Sequence, residues 1–183
     1  SVGSGAGVRQ FIAGTVDFGA SDEPISAADT AKVKRGVVQI PMVGGTIAIA
    51  YNKPGCTLKL TQKQTVDVFA GRIKDWKALG CAAGPITPVY RSDGSGTTYA
   101  FTNSLDAFGG WGPGVGKAVK WPTGVGAKGN EGVSGRIRQT PGSIGYVNTG
   151  FVKANKIQTA SIQNKVGKFV LPTAASGAAA LNN

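Results

Sequence analysis

Glycine restricts this chain more than any other feature. There are 29 glycines in 183 residues, about twice the usual share, and they follow no Gly-X-Y period. That pattern excludes collagen and calls for many tight turns and close backbone approaches. With 41% hydrophobic and 16% charged residues, the sequence is neither disordered nor a coiled coil. Its 18.5 kDa suit one ordinary domain or two small lobes. The longest apolar run, near Thr46–Tyr51, is far too short to cross a membrane as a helix.

There is no histidine. Its absence removes Ser-His-Asp and Cys-His nucleophilic catalysis, histidine metal sites and the usual general base near neutral pH. Two cysteines, Cys56 and Cys81, cannot build a four-cysteine zinc site. We expect no metal and no cofactor. In a chain with no other cysteine the two suit a disulfide and an oxidising compartment, the alternative being two unrelated buried thiols. The sequence opens at Ser1 without a charged and apolar leader, so the expectation is that any signal peptide has been removed.

The charge is uneven. Residues 1–30 hold one base (Arg9) and four acids (Asp17, Asp22, Glu23, Asp29), net −3; the remainder holds nineteen bases and five acids, net +14. Such a surface draws anions. Its bases stand singly, with no run of five and no interleaved aromatics, so nucleic acid is not the expected partner.

Patterning predicts alternating short elements. Ser4 is expected to cap a helix that includes Val8–Ala13, and Ser26 one that runs to about Lys34. Val16–Ala20, Val37–Val43, Thr46–Tyr51, Ile86–Arg91 and Gly142–Val147 read as strands. Further helices are expected after Thr61, from about Thr97 to Phe108, from Gly129 or Asn130 to Arg138, and over Ala174–Leu181; a short one ends at Leu79. The segment from Gly109 to Gly129 reads as irregular. Alternation of this kind favours an α/β class with parallel strands.

Two glycine-rich turns stand at predicted helix N-termini: Gly3-Ser4-Gly5-Ala6-Gly7 and Arg91-Ser92-Asp93-Gly94-Ser95-Gly96-Thr97-Thr98. Helix N-termini offer free N–H groups and a partial positive charge, small residues let a ligand approach, and an arginine can grip two anion oxygens. These are the parts of a phosphate or sulfate cradle. They are not an ATP P-loop, because Gly-x-x-x-x-Gly-Lys-Ser/Thr is absent.

Several stretches resemble the periplasmic phosphate-binding proteins that feed phosphate ABC transporters, in particular their cyanobacterial and cyanophage branch. They are Gly3–Gly7, Val16–Asp22, Gln39-Ile40-Pro41, Phe69–Trp76, Arg91–Thr97, Lys120-Trp121-Pro122 with Gly129–Gly132, and Pro141–Val147, in the family's order. The resemblance implies a two-lobe, type II periplasmic-binding-protein fold whose lobes close on dehydrated phosphate, with a hinge near residues 50–52. Residues 1–50 would be part of lobe one and 51–183 most of lobe two.

By the same resemblance Ser4 donates to phosphate from the first lobe, and Asp22 accepts a proton from it. Arg91 binds it bidentately, Asp93 holds Arg91, and Ser95, Gly96 and Thr97 donate from the second lobe. Gly5 and Ser21 support the site. A carboxylate at position 22 should admit an anion that still carries a proton and reject sulfate. The family's chain is longer at both ends, which implies a fragment with lobe one incomplete. The implied role is high-affinity capture of inorganic phosphate for a membrane permease by a monomer that is periplasmic, or extracellular and membrane-associated, and not an enzyme. The alternative is a phosphatase or phosphotransferase with Ser95 or Ser4 as nucleophile.

Overall fold

A computed structural model describes residues 2–181. A five-stranded mixed sheet organises it. Its strands are β1 (Ile47–Tyr51), β3 (Thr87–Arg91), β4 (Val125–Ala127), β5 (Ser143–Asn148) and β6 (Gln158–Thr159), in the spatial order β4-β3-β5-β1-β6. β3 runs parallel to β4 and β5, whereas β1 runs antiparallel to β5 and β6. The expectation of parallel strands therefore holds for β3, β4 and β5 and is corrected at β1. A smaller sheet joins β2 (Lys59–Leu60), β7 (Ser161–Gln163) and β8 (Phe169–Val170).

Two-residue periodicity gives the large sheet two buried faces. Ile49, Tyr51, Ile144 and Tyr146 join one core with Phe69, Trp76, Phe101 and Leu105. Ala50 and Val147, one position out of phase, join Val89, Val133 and Ile137 in the other. The first core belongs to α3 (Gln62–Phe69) and α4 (Gly96–Phe108), the second to α5 (Gly129–Gln139). Phe101 stacks on Tyr146 with ring centroids 4.3 Å apart, and Tyr90 on Trp121 at 5.2 Å. The tryptophans thus pack the core, and the Trp76 indole N–H donates to the Gly142 carbonyl at 3.0 Å.

Local chemistry fixes the helix starts. Thr61 and Gln64 form a reciprocal capping box on α3. The Ser95 hydroxyl caps α4 by accepting the Thr98 N–H. Cys56 and Cys81 are joined as a disulfide, with Cα atoms 5.4 Å apart. It ties the β1–β2 connection at Cys56 to the residues just after the 3-10 turn Trp76–Leu79.

Several sequence expectations are corrected. The first helix, α1 (Gly3–Ile12), starts at Gly3, so Ser4 lies within its first turn and is not its cap. Ser26 does cap α2, but α2 (Ala27–Thr30) is only four residues long. Val16–Ala20 and Val37–Val43 belong to no strand. Their β-branched side chains favour extended backbone, but no segment supplies a ladder, and Val38, Met42 and Val43 stand more than 80% exposed. Five elements of the second half lie outside the sequence expectations. β4 lies inside the stretch expected to be irregular, and α6 (Thr149–Asn155) and the β6–β8 strands follow β5. α7 (Ala174–Leu181) is where the pattern puts it. No helix among the described residues is long and apolar enough to cross a membrane.

Candidate functional site

The C-terminal ends of β3 and β5 face a cavity of about 410 Å³. Ser4, Asp22, Arg91, Ser95 and Thr97 all line it. Residues far apart in sequence meet there because α1 lays its first turn against the start of α4: the Gly5 N–H donates to the Gly94 carbonyl at 2.9 Å. This approach depends on missing side chains. A Cβ at Gly3, whose φ is +66°, would lie 2.7 Å from Asp93 Oδ2 and 2.8 Å from the Gly94 oxygen. A Cβ at Gly96 would lie 2.5 Å from Ser4 Oγ and 2.6 Å from Asp22 Cβ.

Arg91 closes β3 and is buried. Its guanidinium donates to Asp93 twice, Nε to Oδ1 at 2.7 Å and Nη2 to Oδ2 at 2.5 Å. The Gly129 N–H, at the start of α5, donates to the same Oδ1 at 3.0 Å. Hydrogen bonding from Arg91 above all, then from the Gly129 N–H, holds the Asp93 carboxyl down at about 2 against the burial that would raise it. Burial alone would lower the Arg91 pKa, but the Asp93 pair overrides it and leaves the guanidinium above its ordinary value. Arg91 is therefore a fixed cation with its plane set by a carboxylate.

Asp22 comes from a turn, and its N–H donates to Ser4 Oγ at 3.1 Å. Its Oδ2 is 3.4 Å from the Thr97 hydroxyl, at the outer edge of hydrogen bonding. Ser95 and Gly96 sit at the cap and first position of α4. Ser21 does not line the cavity; its hydroxyl donates to the Glu23 carbonyl at 2.8 Å and accepts the Glu23 N–H at 3.2 Å, which fixes the turn that carries Asp22. A buried phenol ties Arg91 to α4: Tyr146 OH accepts the Arg91 N–H at 3.1 Å and pairs with Thr98 Oγ1 at 2.7 Å.

The arrangement gathers the N-termini of α1 and α4, a fixed guanidinium and three hydroxyls around one carboxylate. Such an arrangement offers an oxyanion N–H and hydroxyl donors and a fixed cation, with one carboxylate acceptor among them. Sequence reasoning did not single out Asn130 and Asn148 as site residues. Both line the cavity, and Asn130 Oδ1 accepts the Asn148 N–H at 3.0 Å. Asn130 is the second residue of α5, inside the Gly129–Gly132 stretch that carries part of the family resemblance. Among the described residues no group of His, Cys, Asp or Glu is arranged to hold a metal ion.

A family model described as the PBP superfamily domain matches residues 1–183. The chain is 44% identical over 199 aligned positions to a protein of Pasteurella multocida named phosphate-binding protein PstS, with all of the chain and 57% of that protein covered. It is 43% identical to the protein of the same name from Haemophilus influenzae, again with all of the chain and 59% of the relative covered. It therefore spans a little over half of these relatives. Among solved structures it superposes with a TM-score of 0.81 and 28% identity on a high-affinity periplasmic phosphate-binding protein bound with phosphate, PfluDING. That match covers 98% of this chain and 59% of the other.

Proposed function

This chain belongs to the PBP superfamily, and from that membership we propose that it captures inorganic phosphate between two lobes and delivers it to an ABC transporter permease. One observation carries the reading: Arg91, clamped by Asp93, and Asp22, tied to Ser4, share one cavity with the N-termini of α1 and α4. Relatives over 40% identical bear the name phosphate-binding protein. In this reading residues 1–50 contribute part of one lobe and 51–183 most of the other, with β1 carrying the chain between them near the hinge. The protein works as a monomer in the periplasm.

Selectivity rests on the proton. Monobasic and dibasic phosphate still carry one and can bridge to Asp22; sulfate near neutral pH carries none. Sulfate would then set two unbridged negative charges face to face in a site with little water, at a cost of several kcal/mol. Arg91 neutralises the remaining charge, and Ser4, Ser95, Gly96 and Thr97 supply donors.

The phosphatase reading loses ground on two hydroxyls. Ser4 Oγ already accepts from Asp22 N–H and Ser95 Oγ from Thr98 N–H, and the sequence has no histidine to take a proton from either. Calorimetric titration of phosphate and then sulfate into the phosphate-stripped chain tests the proposal. Heat from phosphate and none from sulfate is expected. Equal binding of both would end the role given to Asp22, and release of alcohol from a chromogenic phosphate ester would favour the enzyme.

A further inference from the structure

Glu23 and Lys117 form a salt bridge beside the cavity, and the anion chemistry described above gives them no part. Glu23 is buried, its side chain 7% exposed, and a buried carboxylate is costly unless paired. It directly follows Asp22, and the Ser21 hydroxyl bonds both its N–H and its carbonyl. The Glu23 charge and the Asp22 backbone thus belong to one stiff turn.

Lys117 is anchored on the opposite wall. Its carbonyl accepts the Ser95 N–H at 2.9 Å, and Ser95 is the cap of α4. One residue therefore holds the Asp22 turn by its side chain and the start of α4 by its backbone. The direct contacts across the same gap are weaker. Thr97 Oγ1 to Asp22 Oδ2 spans 3.4 Å, too long to fix a carboxylate, and Gly96 offers no side chain. The charge asymmetry has the same sense: Glu23 and Asp29 belong to the acidic first thirty residues, and Lys117 to the basic remainder.

We propose that the Glu23–Lys117 pair fastens the Asp22 turn to the α4 N-terminus, and so sets how fast a bound anion leaves rather than how fast it arrives. Glu23 and Lys117 are positioning residues, and the effect on release rests on the phosphate reading above. Charge pairs broken at a docked contact act mainly through dissociation.

The test compares Lys117→Met, Glu23→Gln and the charge-swapped double variant Glu23→Lys/Lys117→Glu with the parent chain. Lys63→Met, which breaks the pair with Asp67 on α3, controls for lost charge. A chase of radiolabelled phosphate should show release faster by about fivefold or more in each single variant. Association should change by less than about twofold. The swap should recover most of the loss, and Lys63→Met should leave both rates as they were. Unchanged release, an equal loss in both rates, or no recovery in the swap would overturn the proposal. Hydrogen exchange at the Asp22 and Glu23 amides, measured without phosphate, decides the fastening separately. Faster exchange in Lys117→Met is expected, and unchanged exchange overturns it. If the parent chain captures no phosphate, the binding reading fails while the exchange result still stands.

Discussion

The Asp22 N–H donates to Ser4 Oγ at 3.1 Å, across eighteen positions of sequence. This bond sets the carboxylate beside the first turn of α1, where an anion would be attracted by the helix and challenged by the acid at once. Replacing the acid isolates the challenge. Asp22→Asn keeps the shape and the N–H bond but removes the negative charge, so sulfate should bind and the phosphate-to-sulfate preference should fall by roughly tenfold or more. Paired calorimetric titrations read the ratio directly.

Gly96→Ala separates helix from site. Gly96 opens α4, where alanine suits the helix better by about 1 kcal/mol. The new Cβ would nevertheless meet Ser4 Oγ at 2.5 Å and Asp22 Cβ at 2.6 Å. The Asp22 turn must withdraw, and phosphate affinity should fall by about tenfold while the melting temperature changes little. Calorimetry and thermal melts of the same sample check both halves.

The Arg91–Asp93 pair predicts an acid limit. The Asp93 pKa is about 2 in the folded chain against 3.8 ordinarily, so its contribution is complete above pH 3.8 and is lost as pH falls from there to about 2. After allowance for solvent screening it amounts to about 1–2 kcal/mol. Asp93→Asn should flatten that part of the pH–stability curve. It should also cost about 3 kcal/mol at neutral pH, because Arg91 is left buried without its carboxylate. Urea unfolding from pH 2 to 7 measures each effect.

Tyr146 predicts an alkaline limit. Burial above all pushes its phenol up to about 12, so the stability it lends is complete below pH 10 and is lost between pH 10 and 12. Tyr146→Phe removes the acceptor of the Arg91 N–H and should cost about 1–3 kcal/mol. Phenolate absorbance against pH locates the titration, and denaturant unfolding measures the loss.

Reduction should spare the site. The Cys56–Cys81 bond closes a segment of separation 25, and neither cysteine lines the cavity. Removing it by the double serine variant should lower stability by about 3 kcal/mol with phosphate affinity retained.

The sequence was legible where local chemistry decides the structure. Thr61 marks the start of α3, the helix expected from about Thr97 begins one residue earlier at Gly96, and the β-branched runs at Thr46–Tyr51 and Ile86–Arg91 became strands because β5 lies between them. Val37–Val43 carries the same signal and is no strand, since propensity states a willingness to pair and not the presence of a partner. The direction of β1 was hidden for a related reason: alternation is identical in parallel and antiparallel ladders. At the site, Ser4, Asp22, Arg91, Ser95 and Thr97 were named in advance and line one cavity. Asn130 was not among the expected site residues, because an asparagine at a helix start reads as a helix opener until Asn148 is seen beside it.

The two helix starts that meet at Gly5 and Gly94 also shape how the protein responds to the salt it is dissolved in. Like poles held together, with a guanidinium between them, are relieved by any anion that fits. An anion that binds the folded chain and not the unfolded one adds stability as the logarithm of one plus its concentration over its Kd, and the melting temperature rises with it. The melting temperature is thus a built-in gauge. A series of melts in different sodium salts, with no label attached to protein or ligand, would rank anions in the order in which the cavity selects them.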